Sequence, residues 1–437
     1  MSLTSSDIQK LFQPTEAIRE RSEYFVGRSD LLEQCEKGLM AQNSSLVIYG
    51  ERGVGKTSLA FQLRTRLSHS SSPPTPGGSN NENTDVEAPP PAAIVWHESA
   101  HKTKHLTELL LRILQLSRNP ESFSAQFPML YEDTKLLEHI RLVFGLDLLR
   151  MTRTRGKLEG QSAFCNESMK ELQETRLAIS IWKELTSELE NAHSFKQITL
   201  FIDELDRVDD TSGLGELIKA SGPMRFVLIG VANRVEELVT DHESVVRKLT
   251  SPPVQVPTLS KGEIQDIFAM ARKFSKNRIE FTSKCIASVV DHSYGFPWLA
   301  QRLGFESTML AWGEQPSAQA LNVDQKHVKQ ALNNLVEQFG KDVRYYNPYQ
   351  AVGSTTAAEV LLALSQADEA GLKYHDLEQA VSRSNRSWLK DKLRPLLLGE
   401  RSVLIEKNER YRFREPLGRI IYRLQMEQDG KPATTAY

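Results

Sequence analysis

The sequence of 437 residues predicts an α/β fold: a parallel sheet sandwiched by helices, followed by a helical segment and a small C-terminal domain of helices and a hairpin. Three observations carry the prediction. Apolar runs at Ser45–Tyr49, Ala92–Trp96, Ile198–Ile202 and Arg225–Ile229, with a short fifth at Val254–Val256, lack polar alternation. Such runs are strands covered on both faces, as in parallel sheets. Helical stretches separate them, as crossovers between parallel strands require. After Pro257 the periodicity becomes wholly helical.

The elements follow in order. The first strand leads through a Gly-rich turn into a helix at Lys56–Leu67. The segment Ser68–Pro91 is rich in Ser, Pro, Gly and Asn and nearly devoid of large apolar residues. It cannot bury enough surface to offset its ordering entropy, so it reads as a disordered insertion within a domain. Between the second and third strands, helical arms are expected at Leu106–Leu116 and about Met169–Glu190, with a second insertion at about 117–171. Four helices follow, Gly262–Lys273, Thr282–His292, Phe296–Leu310 and Val323–Phe339, with Pro297 near a helix start, where proline is tolerated. Beyond the loop Tyr345–Tyr349 come helices at Ala357–Leu364, Lys373–Ala380 and Arg386–Leu398, then strands at Val403–Lys407 and Arg410–Phe413 around the tight-turn pair Asn408-Glu409. Three helices and a hairpin form the layout of a winged helix. The expected domains are 1–257, a helical lid at 258–345, a winged helix at 352–425 and a disordered tail at 426–437.

Composition narrows the class. A formal net charge of −2 excludes a polycation that coats nucleic acid, so any such role needs a local patch. Cys35, Cys165 and Cys285 are far apart, which argues against a disulfide framework or a cysteine zinc site; they read as buried apolar positions. The start, MSLTSSDIQK, has no apolar core and does not read as a signal peptide, and no apolar run approaches the roughly 20 residues that span a bilayer. A cytoplasmic protein with no membrane partner is expected.

The strongest chemical signal is Gly50-Glu51-Arg52-Gly53-Val54-Gly55-Lys56-Thr57, with Ser58 following. It matches GxxxxGK[ST] between a predicted strand and helix, the context of a P-loop NTPase. Its glycines let backbone N–H groups curl around phosphate oxygens at a helix N-terminus. Lys56 would neutralise the β- and γ-phosphates, and Thr57 would ligate Mg²⁺. The strand at Ile198–Ile202 ends in Asp203 and Glu204, which the topology of such sheets places beside that loop. Asp203 would hold Mg²⁺; Glu204 would orient the attacking water. Asn233, at the tip of the following strand, could touch the γ-phosphate or the water, or be a turn asparagine. Arg247 is a candidate arginine finger acting in a neighbouring subunit, or a locally paired arginine. Asp206 and Arg207 read as a surface ion pair.

Residues 383–423 hold 12 Lys and Arg against 5 Asp and Glu. Arg383, Arg386, Lys390, Lys392 and Arg394 gather on and before the third helix, where a winged helix would meet DNA; docking of a protein is the alternative.

These motifs, in this order, resemble the AAA+ superfamily, and most closely a bacterial group near the origin-recognition initiator ATPases and the STAND signalling ATPases. The resemblance rests on Phe25-Val-Gly-Arg28, the segment Tyr49–Leu59, Ile202-Asp-Glu-Leu-Asp-Arg207, His242–Arg247 and Gly295-Phe-Pro297 with Trp298–Arg302. It implies ATP with Mg²⁺ as cofactor, adenine flanked by Phe25, Val26, Gly27 and Pro297, and homo-oligomers with a protein partner. The sequence departs from the pattern in two ways: the span from Lys56 to Asp203 is long, and no second-sensor arginine stands in a GxxR setting, Arg302 being a weak substitute. Neither LSGGQ nor NKxD occurs, which favours adenine. The implied function is a nucleotide-dependent switch or assembly motor in a multi-protein complex, including anti-phage defence. The alternatives are an initiator-like or transposition-type DNA-binding ATPase and an ATP-binding scaffold without turnover.

Overall fold

The structure, a computed structural model, describes most of residues 4–70, 92–128, 179–189, 197–238, 252–341 and 355–428. The expectations for Asn233, Arg247, Arg383, Cys165, most of both insertions and the start of the arm at 169–190 fall outside the described residues. Contacts divide the chain into two compact units: Ile18–Gly50 with Lys56–Val256, and Met1–Ala17 with Glu51–Gly55 and Pro257–Tyr437. Helix α1 (Ser5–Leu11) belongs to the second.

The first unit contains α2 (Ser29–Leu39), β1 (Leu46–Gly50), α3 (Lys56–Ser70), β2 (Ala92–Glu98), β3 (Thr103–His105), α4 (Leu106–Leu114), α5 (Phe123–Gln126), β4 (Gln197–Asp203), β5 (Val208–Asp210), α6 (Leu214–Ala220), β6 (Met224–Val231) and β7 (Val254–Gln255). Five of the strands form one parallel sheet in the order β2-β4-β6-β1-β7. Leu46, Val47 and Ile48 on β1 and Phe226, Val227, Leu228 and Ile229 on β6 are all buried, as unbroken apolar runs demand of strands covered on both faces. Because all five strands run the same way, their carboxyl ends share one edge, and only β6 separates β1 from β4 there. The Trp96 ring lies stacked between Phe61 of α3, with centroids 4.0 Å apart, and Phe201 of β4, at 5.2 Å. These rings fix α3 against the sheet through large buried areas. The small pair β3–β5, TKH with VDD, carries no apolar pattern and was not anticipated.

The second unit contains α7 (Lys261–Phe274), β8 (Ile279–Phe281), α8 (Ser283–Ser293), α9 (Pro297–Glu314), β9 (Leu321–Val323) and α10 (Gln325–Lys341). Ser260 and Glu263 form a capping box that starts α7. The Thr282 hydroxyl accepts the Cys285 N–H and starts α8. Phe12, just after α1, packs on Phe268 and Phe281 with centroids near 6 Å apart.

The C-terminal portion of this unit comprises α11 (Thr355–Gln366), β10 (Leu372–Lys373), α12 (Tyr374–Ala380), a 3₁₀ turn at Arg386–Trp388, α13 (Leu389–Leu397), β11 (Leu404–Lys407), β12 (Arg410–Phe413) and α14 (Pro416–Gln428). Its sheet is antiparallel in the order β10-β12-β11. Val360, Leu361, Leu377, Leu393, Leu404 and Tyr422 form its core. The hairpin closes at Lys407 opposite Arg410, and Glu409 takes the left-handed conformation, φ +60°, that a primed turn requires. Two differences from expectation stand out. The helix expected at Arg386–Leu398 is a 3₁₀ turn followed by a shorter α-helix, with Pro395 in its last turns. The tail expected to be disordered from 426 is helical through Gln428, with Met426 buried; Ile421 and Leu424 share the apolar face that holds α14 down.

Candidate nucleotide site

The site grows from the ends of β1 and β4. After β1 the chain turns through Gly50, Gly53 and Gly55, with φ of +150°, +85° and +90°. Side chains rarely adopt such angles, which is why glycine stands at these three positions. Val54 is buried and Arg52 exposed. Lys56 opens α3 and is 7% exposed. Ser58 is next but one, and its hydroxyl accepts the Ile18 N–H at 3.1 Å, so its side chain is turned toward the N-terminal segment.

Asp203 is the last residue of β4 and is 4% exposed. Its Oδ2 accepts a 2.9 Å hydrogen bond from the Thr57 hydroxyl, and its Oδ1 accepts the Glu204 N–H at 2.8 Å. The structure therefore brings together two residues that the sequence separates by 146 positions. Burial pushes the Asp203 carboxyl above its ordinary range, against the pull of the Thr57 and Glu204 hydrogen bonds and of Lys56. Glu204 adopts φ +57°, a left-handed conformation uncommon for a non-glycine residue and concentrated at functional sites. Burial raises its carboxyl as well, while Arg207 opposes the rise.

The pairing of Asp206 with Arg207 read from the sequence is corrected here. Arg207 instead grips Glu204 with two contacts, Nε to Oε2 at 2.9 Å and Nη2 to Oε1 at 3.2 Å. Asp206 Oδ1 accepts the Val231 N–H at 2.8 Å and so fixes the tip of β6. Both contacts follow from the 3₁₀ turn Leu205–Arg207, which folds the chain back directly after Glu204.

Glu98 escaped the sequence reading. It is the register partner of Asp203 across β2 and β4, and it raises the carboxyls of both Asp203 and Glu204. Half exposed, it lies 3.8 Å from Arg19. The apolar run stopped at Trp96, so nothing in it marked a strand reaching Glu98. Arg302 pairs with Glu306 at 2.7 Å and donates to Gln338 at 3.3 Å.

Phe25, Val26 and Gly27 are half-buried ahead of α2. Pro297 is the first residue of α9. The turn before it depends on Gly295, with φ +80°: a Cβ there would lie 2.7 Å from the Leu259 carbonyl oxygen.

Among the described residues, no group of three or more His, Cys, Asp or Glu is placed to hold a metal on its own. The Thr57 hydroxyl and the buried Asp203 carboxylate do offer adjacent hard oxygen donors, the kind that suits Mg²⁺ completed by water and phosphate.

This glycine turn, lysine-headed helix and buried carboxylate belong to a P-loop NTPase fold, and a family model, the KAP family P-loop domain, matches residues 29–293, well over half of the chain. The chain belongs to the KAP family of P-loop domains. The matched residues carry the phosphate loop, both carboxylates and the whole five-stranded sheet of this KAP domain. No curated protein sequence matches the chain. Among solved structures it is similar to the Walker-type ATPase PABY2304 of Pyrococcus abyssi, at 13% identity and a TM-score of 0.45, over 94% of this chain and 99% of that one. It is also similar to the ORC1 protein of Aeropyrum pernix in complex with DNA, at 13% identity and a TM-score of 0.42, over 97% and 96% of the two chains. A third likeness, to Cdc6p of Pyrobaculum aerophilum, has 12% identity and a TM-score of 0.41, over 98% and 99%. Among the described residues no helix is long and apolar enough to cross a membrane.

The basic residues of the C-terminal portion divide. Lys390 and Arg394 line a cavity of about 300 Å³ together with Tyr374, Leu393, Leu397 and Tyr411. Lys390 Nζ sits 5.8 Å from the centre of the Tyr374 ring. Arg386 and Lys392 do not line it.

Proposed function

We propose that this KAP-family chain is an AAA+-type ATPase that binds ATP with Mg²⁺, hydrolyses it to ADP and phosphate, and uses the cycle as a switch or assembly motor in a multi-protein complex. The observation that carries this reading is the Thr57–Asp203 hydrogen bond of 2.9 Å, with Glu204 next in the chain and Lys56 buried one residue before Thr57. The backbone N–H groups of residues 51–57 would cradle the phosphates, and Lys56 would neutralise the β- and γ-oxygens. Thr57 and Asp203 would hold Mg²⁺, which when bound neutralises charge on the phosphates. Glu204 polarises the attacking water once Arg207 releases it, because a carboxylate bound by a guanidinium fork is a poor base. Phe25, Val26, Gly27 and Pro297 are the adenine-side candidates. Asn233 and Arg247 remain proposals, as γ-phosphate contact and arginine finger in a homo-oligomer.

Steady-state phosphate release from wild type, Lys56→Ala, Glu204→Gln and Arg247→Ala, across protein concentrations, tests the reading. Wild type should turn over, Lys56→Ala should fail to bind nucleotide, and Glu204→Gln should bind but not hydrolyse. Unchanged hydrolysis by Glu204→Gln would remove Glu204 from the hydrolytic step, and nucleotide binding without turnover by wild type would leave only an ATP-binding scaffold. A rate per molecule that climbs with concentration and needs Arg247 would support a shared site.

A second reading, a DNA-binding ATPase, rests on the C-terminal portion read as a winged helix. Lys390 and Arg394 of α13 project around a cavity with two tyrosine rings, a combination suited to an anionic partner. Salt-sensitive retardation of duplex DNA that disappears in Lys390→Glu/Arg394→Glu would favour this reading. Its absence at low salt would leave a protein as the partner.

A further inference from the structure

Glu51 is the residue after the first glycine of the phosphate loop. A carboxylate there stands in a loop built to receive several negative charges. Its side chain is 3% exposed, and it is ion-paired with Arg419 of α14. Arg419 Nη2 donates to both Glu51 oxygens, at 3.0 and 3.2 Å. The other arm, Nη1, donates to the Ala367 carbonyl just after α11, at 2.6 Å. One guanidinium therefore ties the phosphate loop to two helices of the C-terminal portion. The grip has a second point: the Trp298 N–H donates to the Gly53 carbonyl at 3.4 Å, and a Cβ on Gly53 would already touch Trp298 and Phe296. Residues 51–55 accordingly belong to the same compact unit as Pro257–Tyr437.

We propose that Arg419 is a positioning residue for the phosphate loop: it neutralises Glu51 and holds residues 51–55 in the shape that binds the phosphates, so that the placement of the C-terminal helices sets nucleotide affinity. The proposal rests on the chain being a nucleotide-binding protein. The physical argument is one of charge. Removing one partner of a buried pair leaves the other uncompensated, which is strongly unfavourable. Here the orphan would be a carboxylate in the phosphate loop, where it would repel the nucleotide as well as distort the loop. A pair that only stabilised the fold would not have to act on phosphate binding at all.

The charge argument predicts a pattern of rescue. In the full chain, a fluorescent ADP analogue with Mg²⁺ is titrated into wild type, Arg419→Gln, Arg419→Lys, Glu51→Gln and the double variant Glu51→Gln/Arg419→Gln, each first shown to be folded by its melting curve. Arg419→Gln should weaken binding at least tenfold, and Arg419→Lys, which keeps the charge but not the fork, should lie between it and wild type. Adding Glu51→Gln to Arg419→Gln should recover most of the loss, because it removes the orphaned acid. A double variant no tighter than Arg419→Gln overturns the proposal, as does an Arg419→Gln protein within twofold of wild type. Should Arg419→Gln fail to fold, Arg419→Lys against Glu51→Gln/Arg419→Lys asks the same question. Wild type and Lys56→Ala serve as controls: if wild type does not bind the analogue, it is the nucleotide reading that has failed.

Discussion

Thr57 and Asp203 show how a side chain can be unfavourable to the fold and still, on the proposed reading, serve the chemistry. Burial raises the Asp203 carboxyl, so the ionised form is held in the folded protein against its desolvation cost. Asparagine keeps an oxygen able to accept from Thr57 or from the Glu204 N–H and removes that cost. Asp203→Asn should therefore melt no lower than wild type in the absence of nucleotide, while Mg²⁺-dependent hydrolysis falls on the order of 100-fold or more, the range seen on losing one preorganised electrostatic group. A melting point lowered by several degrees would mean that the carboxylate stabilises the apo fold. His97 makes the opposite case by pH. Burial, aided by the charge of Arg112, lowers its pKa from 6.5 to about 4. A histidine with a depressed folded value binds fewer protons when folded than when unfolded, so its stability contribution is full above pH 6.5 and is lost as pH falls from 6.5 toward 4. His97→Gln should flatten that part of the stability curve. The gap between wild type and variant should shift by on the order of 1–2 kcal/mol between pH 7 and pH 5, read by urea denaturation at each pH. Parallel curves would rule His97 out as a contributor.

At the scale of the element, glycines separate backbone need from mere tolerance. Gly371 has φ +73°, and a Cβ there would lie 2.1 Å from the Tyr411 carbonyl oxygen, directly where β12 pairs with β10. Gly313, near the end of α9, is exposed, and a Cβ there would meet nothing within 4 Å. The same substitution should act in opposite directions. Gly371→Ala should destabilise by more than about 2 kcal/mol, through strain that the rigid backbone of β12 cannot relieve. Gly313→Ala should be neutral or stabilise by up to about 1 kcal/mol, because alanine restricts the unfolded chain and favours the helix. Chemical denaturation of the two variants decides; equal shifts would remove the argument from Cβ contact. The elements also show what the sequence could and could not disclose. The five core strands were legible because burial on both faces forces unbroken apolar runs, and the helices of the second unit because their apolar residues recur at helical spacing, whereas the caps at Ser260 and Thr282 emerge from the structure. The pairs β3–β5 and β8–β9 and the strand β10 were not, since two or three residues carry no measurable period. Lys56, Thr57, Asp203 and Glu204 could be read as one candidate cluster because motif and strand ending coincide. Glu98, the Arg207 fork and Arg419 were missed because each depends on register or on a partner far along the chain.

At the scale of the whole molecule, the chain divides into two compact units, and the sheet edge of the first brings Asp203, Glu204 and Glu98 close together. Without a cation, those carboxylates repel one another and the apo protein carries their mutual cost. A ligand that binds only the folded state stabilises it by mass action: at a hundred times its Kd the gain is about 2.7 kcal/mol. On the proposed reading Mg²⁺-ATP would add positive charge at the acids and fill the phosphate loop, so its effect on melting should exceed that of ATP with EDTA. For a domain of this size, about 2.7 kcal/mol corresponds to a rise of several degrees in the first unit's transition. Lys56→Ala should abolish the rise without lowering the melting point of the apo protein by a comparable amount, because its loss removes a ligand contact and only one partly compensating charge near Asp203. Differential scanning calorimetry with Mg²⁺-ATP, Mg²⁺ alone and ATP with EDTA separates these contributions. A shift with Mg²⁺ alone equal to that with Mg²⁺-ATP would show a cation site that does not need nucleotide. No shift in any condition at millimolar nucleotide would sink the nucleotide reading, because a glycine loop, a buried lysine and a Thr–Asp pair that bound no phosphate would leave the strain at Glu204 and the burial of Asp203 with nothing to offset them.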